Sequence, residues 1–343
     1  SICIPALVLT GCRKETGKTS GEAASQVVDP QAKQRLDSTL QSFVAGGKVA
    51  GISALVYEKG KEAYFGAFGY ANREDSIPMA RNTIVQIYSM TKPLTGTALM
   101  TLYEDGAFQL DEPLAIYAPE FRDMEVFEGV DQEGRMQTRP ARNPITIRDL
   151  TRHTAGFPNR PDLPGLGDAL QEAAPLDREK TLSEMAGAFA SLPLWFDPGT
   201  QWEYGPSVDM QAYLVEKLSG RPFDTYLREE VLAPLGMDDT GRFVEESRRP
   251  RFSAMYRLEK DGTLTQMPDT VSKTEHFATW PLQRGGWGLS STLDDYMRFA
   301  RMLLNRGELD GKRILQPETV DLMAANQLPD SITERSWLPS KGR

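Results

Sequence analysis

The stretch from Tyr88 to Gly106 constrains this chain more than any other. It opens Tyr88-Ser89-Met90-Thr91-Lys92-Pro93, and Leu94, Ala98 and Leu102 then recur at i, i+4 and i+8 before Gly106 ends the run. That spacing predicts a helix over about 89–105 with one apolar face, which has to be buried against other elements. Pro93 falls among the first four residues, whose N–H groups have no intrahelical partner, so its missing donor costs nothing. On such a helix Ser89 and Lys92 stand one turn apart on one face, where the lysine nitrogen can reach the serine hydroxyl. Ser89 also lies at the positive end of the helix dipole, a favourable place for a developing oxyanion.

Composition narrows what this helix can serve. The 343 residues allow about two domains or one large enzyme fold at roughly 150 residues per domain. With 48 acidic against 39 basic side chains the net charge is −9, which gives no footprint for phosphate backbones and excludes nucleic acid as a partner. Two cysteines cannot build a disulfide framework, and two histidines without HExxH spacing make no zinc site, so neither metal nor cofactor is expected. No G-x-S-x-G is present, and two histidines leave no surplus for a Ser-His-Asp triad. A serine nucleophile here would need lysine and tyrosine as proton acceptors.

The front of the chain carries a second signal. Ser1 is followed by Ile2, Cys3, Ile4, Pro5, Ala6, Leu7, Val8 and Leu9, which reads as the tail of a secretory h-region whose positive start lies upstream. Leu9-Thr10-Gly11-Cys12 resembles the lipobox of bacterial lipoproteins, in which cleavage before the cysteine leaves a lipid on its thiol; the alternative is a buried N-terminal strand with a chance Gly-Cys. Residues 13 to 26 contain no large apolar side chain and suit a flexible tether. The expectation is a signal remnant over 1–11, a tether over 12–30 anchored at Cys12, and a domain over 31–343, held by its lipid to the bacterial cell envelope on the periplasmic or extracellular face. Gly17-Lys18-Thr19 imitates the end of a P-loop, but the required earlier glycine falls on Cys12.

Globular patterning starts near Gln31, with Leu36, Leu40 and Phe43 at helical spacing. Residues 51–57, the turn Glu58-Lys59-Gly60 and residues 61–70 alternate as a β-hairpin. Helical patterns follow at 208–219 before Gly220, between Pro222 and Gly236, and at 292–305. A helix, a hairpin and a long helical insertion predict an α/β (α+β) protein whose sheet is opened by a helical subdomain. Proline and glycine clusters at 156–167 and 193–206 mark long surface loops.

Several ordered blocks then identify a resemblance. IYSMTKPLTGTALMTLYEDGAFQLDEPLAIYAPEF at 87–121, ITIRDLTRHTAGF at 145–157, WEYGPSVDMQAYLVEKLSG at 202–220, APLGMDDTG at 233–241 and GGWGLSSTLDDYMRFARMLLNRGELDGKRILQPETV at 285–320 resemble landmarks of the serine β-lactamase-like superfamily. That superfamily includes class C β-lactamases, D-alanyl-D-alanine peptidases and family VIII carboxylesterases. The resemblance implies an antiparallel sheet flanked by helices with an all-helical subdomain. It makes Ser89 the acylated nucleophile, Lys92 its proton partner and Tyr204 the second base. A tyrosine close to a lysine ammonium can have its phenolate stabilised, which fits that role. His153 is expected to fix a turn after a short helix with Thr146 and Asp149 at capping-box spacing, and His276 to lie in a surface loop. Gly285, Gly286 and Gly288 are expected to form a tight turn. Trp195, Trp202, Trp280 and Trp287 are core or cleft-wall candidates.

Two departures shape the functional expectation. Where class C β-lactamases carry an asparagine two places after the tyrosine, this chain has Pro206, with neither side-chain donor nor amide N–H. The Tyr-Gly-x-Ser-x-Asp pattern, with Ser207 and Asp209, looks more like the family VIII esterases. Family members also continue into C-terminal strands carrying a third motif and one oxyanion-hole N–H, whereas this sequence reaches Arg343 before any such motif, so a fragment lacking those strands is expected. The expected function is a serine hydrolase acting through an acyl-enzyme on small carboxylic esters. D-Ala-D-Ala carboxypeptidase or β-lactamase activity, and a non-catalytic binding or scaffolding member, stand as alternatives. Oligomeric state is left open.

Overall fold

The computed structural model describes residues 28–333 and the backbone of 335–336. Cys12, the signal remnant, most of the expected tether and Gly17-Lys18-Thr19 lie outside the described residues.

The first helix, α1 (Pro30–Ala45), begins where Asp29 accepts the Ala32 N–H at 2.7 Å and Pro30 takes the first turn. Strands β1 (Gly51–Glu58) and β2 (Lys61–Asn72) pair antiparallel in the expected hairpin, with Leu55 opposite Phe65 and a bulge between Val56 and Tyr57. Lys59 and Gly60, at φ 49° and 80°, form the two-residue turn whose positive φ values match the strand twist. β3 (Ile77–Pro78) extends this sheet along β2. α1 lies over the sheet, where the Tyr64 hydroxyl donates to Asp37 Oδ1 at 2.7 Å.

After β4 (Val85–Gln86) one 3-10 turn, Tyr88–Met90, leads into α2 (Thr91–Glu104). The insertion that follows is less helical than its sequence suggests. It holds the hairpin β5 (Glu125–Val130) and β6 (Met136–Pro140) before α3 (Ile147–Thr151), α4 (Leu166–Ala173), α5 (Leu182–Ala190) and β7 (Trp202–Glu203). In that hairpin Val126 alone is fully buried, so the apolar alternation that would announce two strands is weak. α6 (Ser207–Ser219) ends at Gly220 with φ 67°. α7 (Phe223–Leu227) continues through a π-turn, Arg228–Leu232.

The hairpin β8 (Tyr256–Leu258) and β9 (Leu264–Gln266) precedes the short turns α8 (Asp269–Ser272) and α9 (Thr274–Phe277). β10 (Ser290–Ser291) pairs with β4, and α10 (Leu293–Leu304) follows. The hairpin β11 (Glu308–Leu309) and β12 (Lys312–Arg313), α11 (Pro317–Ala324) and β13 (Arg335–Ser336) come last, β13 lying parallel to β7.

Two helices organise the core. α2 buries Leu94, Ala98, Leu99 and Leu102, and α6 is buried without a break from Ser207 to Val215. Each leucine so enclosed contributes about 1.5–3 kcal/mol. A separate small cluster of Ile84, Val244 and Phe252 corrects the expectation for His276. That residue is fully buried, its ring 5.3 Å from that of Phe252 and its Nδ1 3.1 Å from the Arg242 carbonyl oxygen. The four-residue turn carrying it is too short to show any period in the sequence.

Candidate active site

Ser89 occupies the 3-10 turn ahead of α2. Its neighbour Tyr88 holds φ at +46°, a left-handed conformation costing a bulky residue on the order of 1–3 kcal/mol. The Tyr88 ring is stacked on Trp287 with centroids 6.0 Å apart, and the Met90 N–H donates to the Ile87 carbonyl at 2.9 Å. The turn leaves Ser89 exposed while Thr91, Leu94 and Thr95 go into the core. Lys92, one turn on, reaches back: Nζ donates to Ser89 Oγ at 3.0 Å and to the Gly286 carbonyl at 2.6 Å. Tyr204 Oη lies 2.6 Å from Ser89 Oγ, and Lys92 Nζ sits 4.6 Å from the centre of the Tyr204 ring. All three residues singled out in the sequence therefore meet.

Tyr204 is held from behind. The Glu203 N–H donates to the His153 carbonyl at 3.1 Å, and Asn159 Nδ2 donates to the Tyr204 carbonyl at 3.0 Å. The His153 ring lies against that of Tyr204 at 5.0 Å. His153 does fix a turn, with φ 59° just past α3, whose Thr146–Asp149 capping box is formed as expected. It is also the wall behind the tyrosine. Burial, reinforced by the charge of Lys92, lowers His153 from 6.5 to about 4, so its imidazole is neutral at pH 7.

The segment 284–289 closes the remaining side, and here the expectation of a simple tight turn is too modest. Thr95 Oγ1 donates to the Gly285 carbonyl at 2.8 Å, and the Leu289 N–H donates to Thr91 Oγ1 at 3.3 Å. A Cβ on Gly285 would lie 2.2 Å from the Val208 carbonyl oxygen, so only glycine lets the segment pass between α2 and α6. Gly286 then presents its carbonyl to Lys92. From α6, Asp209 accepts the Gly286 N–H at 3.0 Å and the Arg284 guanidinium at 3.3 Å through both oxygens.

These walls enclose a cleft of about 190 Å³ reached by Ser89, Lys92, Tyr204, Arg284 and Trp287. Asn159, Leu176 and Pro206 are shared with a neighbouring hollow of about 290 Å³ whose other walls include Leu170, Pro175 and Phe189. A larger cavity of about 670 Å³ lies on the far side of Lys92 between α2, α10 and α11. We place the chemistry in the smaller cleft, because that is where Ser89 opens.

The tryptophans sort accordingly. Trp287 is a cleft wall, Trp202 backs His153 and Tyr204, Trp195 lies under Arg160, and Trp280 lies under Arg178. Asn159, Leu176 and Arg284 were not singled out in the sequence. They sit in loops, where side-chain periodicity carries no signal.

A serine, a lysine and a tyrosine in mutual contact on this α/β scaffold define a serine enzyme of the β-lactamase-like kind. The chain belongs to the Beta-lactamase family, whose model matches residues 36–336. It is 33% identical over 302 residues to Protein Rv1367c of Mycobacterium tuberculosis, covering 88% of this chain and 74% of that protein. Esterase EstB of Burkholderia gladioli is 29% identical over 77% of this chain and 68% of its own length. The fold is similar to that of simvastatin synthase (LovD) from Aspergillus terreus, with a TM-score of 0.75 and 27% identity over 88% of this chain and 74% of that one. Esterases and acyltransferases both occur among the relatives. The expected class, a serine hydrolase, stands at that level, and the relatives widen it to a serine hydrolase or acyl-transfer enzyme.

Proposed function

We propose that this chain hydrolyses small carboxylic esters through an acyl-enzyme on Ser89. The observation that carries this reading is that Ser89 Oγ lies within hydrogen-bond distance of both Lys92 Nζ and Tyr204 Oη. In the reaction Oγ attacks the ester carbonyl carbon, and the serine proton passes to the Tyr204–Lys92 pair. The bond to the leaving alcohol breaks as the pair returns that proton to it. Water then attacks the acyl-serine with the same pair as base, releasing the acid and restoring Ser89.

Three features favour neutral esters over β-lactams or peptide carboxylates. Pro206 stands where class C enzymes carry an amide side chain. The charge of Arg284 is already matched by buried Asp209, while the hollow beyond Leu176 is largely apolar. The wild type should hydrolyse p-nitrophenyl butyrate and turn over nitrocefin slowly or not at all. Nitrocefin turnover as fast as ester hydrolysis would overturn the choice of substrate.

The same reading places the enzyme at the bacterial cell envelope, facing the periplasm or exterior and tethered through a lipid on Cys12. Its support is the segment Leu9-Thr10-Gly11-Cys12 and the polar run after it. Expression in a bacterial host fed an azide-bearing fatty acid should label the wild type and not Cys12→Ser; equal labelling would contradict the anchor.

A further inference from the structure

We propose that Asp209 is a positioning residue for Lys92, acting through the two polar groups of Gly286. This rests on the reading of Ser89 and Lys92 given above. Lys92 has a flexible four-carbon stem, and a point charge on such a stem needs an anchor to stay aimed. Of its two hydrogen bonds, one goes to Ser89 Oγ and the shorter, at 2.6 Å, to the Gly286 carbonyl. The aim of the lysine is therefore only as fixed as Gly286.

Gly286 has no regular element around it. It lies in the irregular stretch between α9 and β10, and its own N–H is taken by Asp209 Oδ1 at 3.0 Å. Asp209 belongs to the buried part of α6, and its side chain is 2% exposed. A carboxylate so enclosed is costly unless its oxygens are satisfied. They are satisfied here by donors of a single segment: the Gly286 N–H and the Arg284 fork, whose Nε and Nη2 reach the two oxygens at 3.3 Å each. The fork in turn lies over the ring of Trp287 at 5.5 Å. One buried charge on a rigid helix thus pins residues 284–287, and with them the carbonyl that aims Lys92. The approach is close on the other side as well: a Cβ on Gly286 would stand 3.1 Å from Asp209 Oδ2.

The test measures the rate of Ser89 labelling by a small fluorophosphonate, together with kcat and KM for p-nitrophenyl butyrate. Wild type, Asp209→Asn and Asp209→Ala are compared, each alone and combined with Lys92→Ala. A misplaced reacting group costs about 100-fold, so Asp209→Ala should lose about that in labelling rate and kcat, with KM changed less than about threefold. Asp209→Asn keeps an acceptor for the Gly286 N–H and should recover most of the loss, leaving a deficit of about five- to tenfold. In the Lys92→Ala background both Asp209 variants should change the residual rate less than about threefold, because the residue they position is gone.

Losses that multiply in that background, a rise in KM alone, or an Asp209→Asn enzyme as fast as wild type would overturn the proposal. The isosteric Asp209→Asn decides it even where Asp209→Ala does not fold. Wild type that is not labelled at Ser89 at all would instead refute the underlying assignment, which keeps the two failures apart.

Discussion

Ser89 and Tyr204 are 115 residues apart in the chain, yet their hydroxyl oxygens are 2.6 Å apart in the fold. The cause is the packing of α2 against α6, because each helix carries one of the two residues just ahead of its first turn. The positive ends of both buried helices are thereby brought to one cleft, where negative charge on a tetrahedral intermediate is favoured. The core that stabilises the fold and the proposed site of chemistry are built by the same pair of helices.

Replacing Tyr204 by phenylalanine removes one oxygen and leaves the ring against His153 and Trp202. Loss of a general base typically costs about 10²–10⁴-fold. Tyr204→Phe should therefore lower kcat for p-nitrophenyl butyrate by that order while the melting temperature stays within about 3 °C of wild type. A fall of less than threefold would remove Tyr204 from the proton path.

Leu176 separates the cleft at Ser89 from the apolar hollow beside it. Leu176→Trp should close that passage. The kcat/KM for p-nitrophenyl octanoate should then drop about tenfold or more, with the acetate ester changed less than about threefold. An unchanged chain-length profile would mean that substrates do not enter the hollow.

Much of this arrangement was legible in the residues themselves. Period and terminating glycines announce the helix at 89–105, the hairpin at 51–70 and the helix ending at Gly220; the structure forms all three, with the first helix starting at Thr91 behind the 3-10 turn that holds Ser89. Ser89 and Lys92 could be paired because one helical turn relates them. Tyr204 was found by resemblance, since no local spacing connects it to Ser89. The partners that finish the site had no comparable signal. Asp209 stands out only as part of the Tyr-Gly-x-Ser-x-Asp pattern, which gives it no role, and only packing shows it fully enclosed and bonded to Gly286. The burial of His276 is hidden for the same reason, as four-residue turns have no period that could reveal it.

Asp149 supports the site from outside. It is 3% exposed and accepts from the Thr146 N–H, the Thr146 and Thr154 hydroxyls and the Arg152 guanidinium at 2.6–3.0 Å. Asp149→Ala leaves that guanidinium unpaired in a largely enclosed place and should cost about 3–5 kcal/mol, read as a lower urea midpoint. Activity should fall with it, because the turn at His153 loses its base. A midpoint within error of wild type would show that the network is dispensable.

Two histidines, His276 buried and His153 half-buried, set a pH dependence of stability. Burial lowers both His153 and His276 to about 4 from an ordinary 6.5. Between those values the unfolded chain binds protons that the fold does not, so stability is constant above about pH 6.5 and falls as the pH drops toward 4. Each histidine costs at most roughly 3 kcal/mol at the acid end. Burial raises Glu203 and Asp295 and works the other way. Urea midpoints should therefore decline from pH 7.5 to pH 5, and His276→Phe should flatten the decline. Stability that rose over this range would contradict the lowering of both histidines.

In the proposed reaction Ser89 Oγ is the atom that carries the acyl group. The most direct measurement is mass spectrometry of the protein quenched during turnover of p-nitrophenyl butyrate, followed by peptide mapping. The expected result is a butyryl adduct on the peptide containing Ser89, absent from Ser89→Ala, which also loses ester hydrolysis. Turnover by Ser89→Ala at the wild-type rate, or an adduct mapped to another residue, would contradict it.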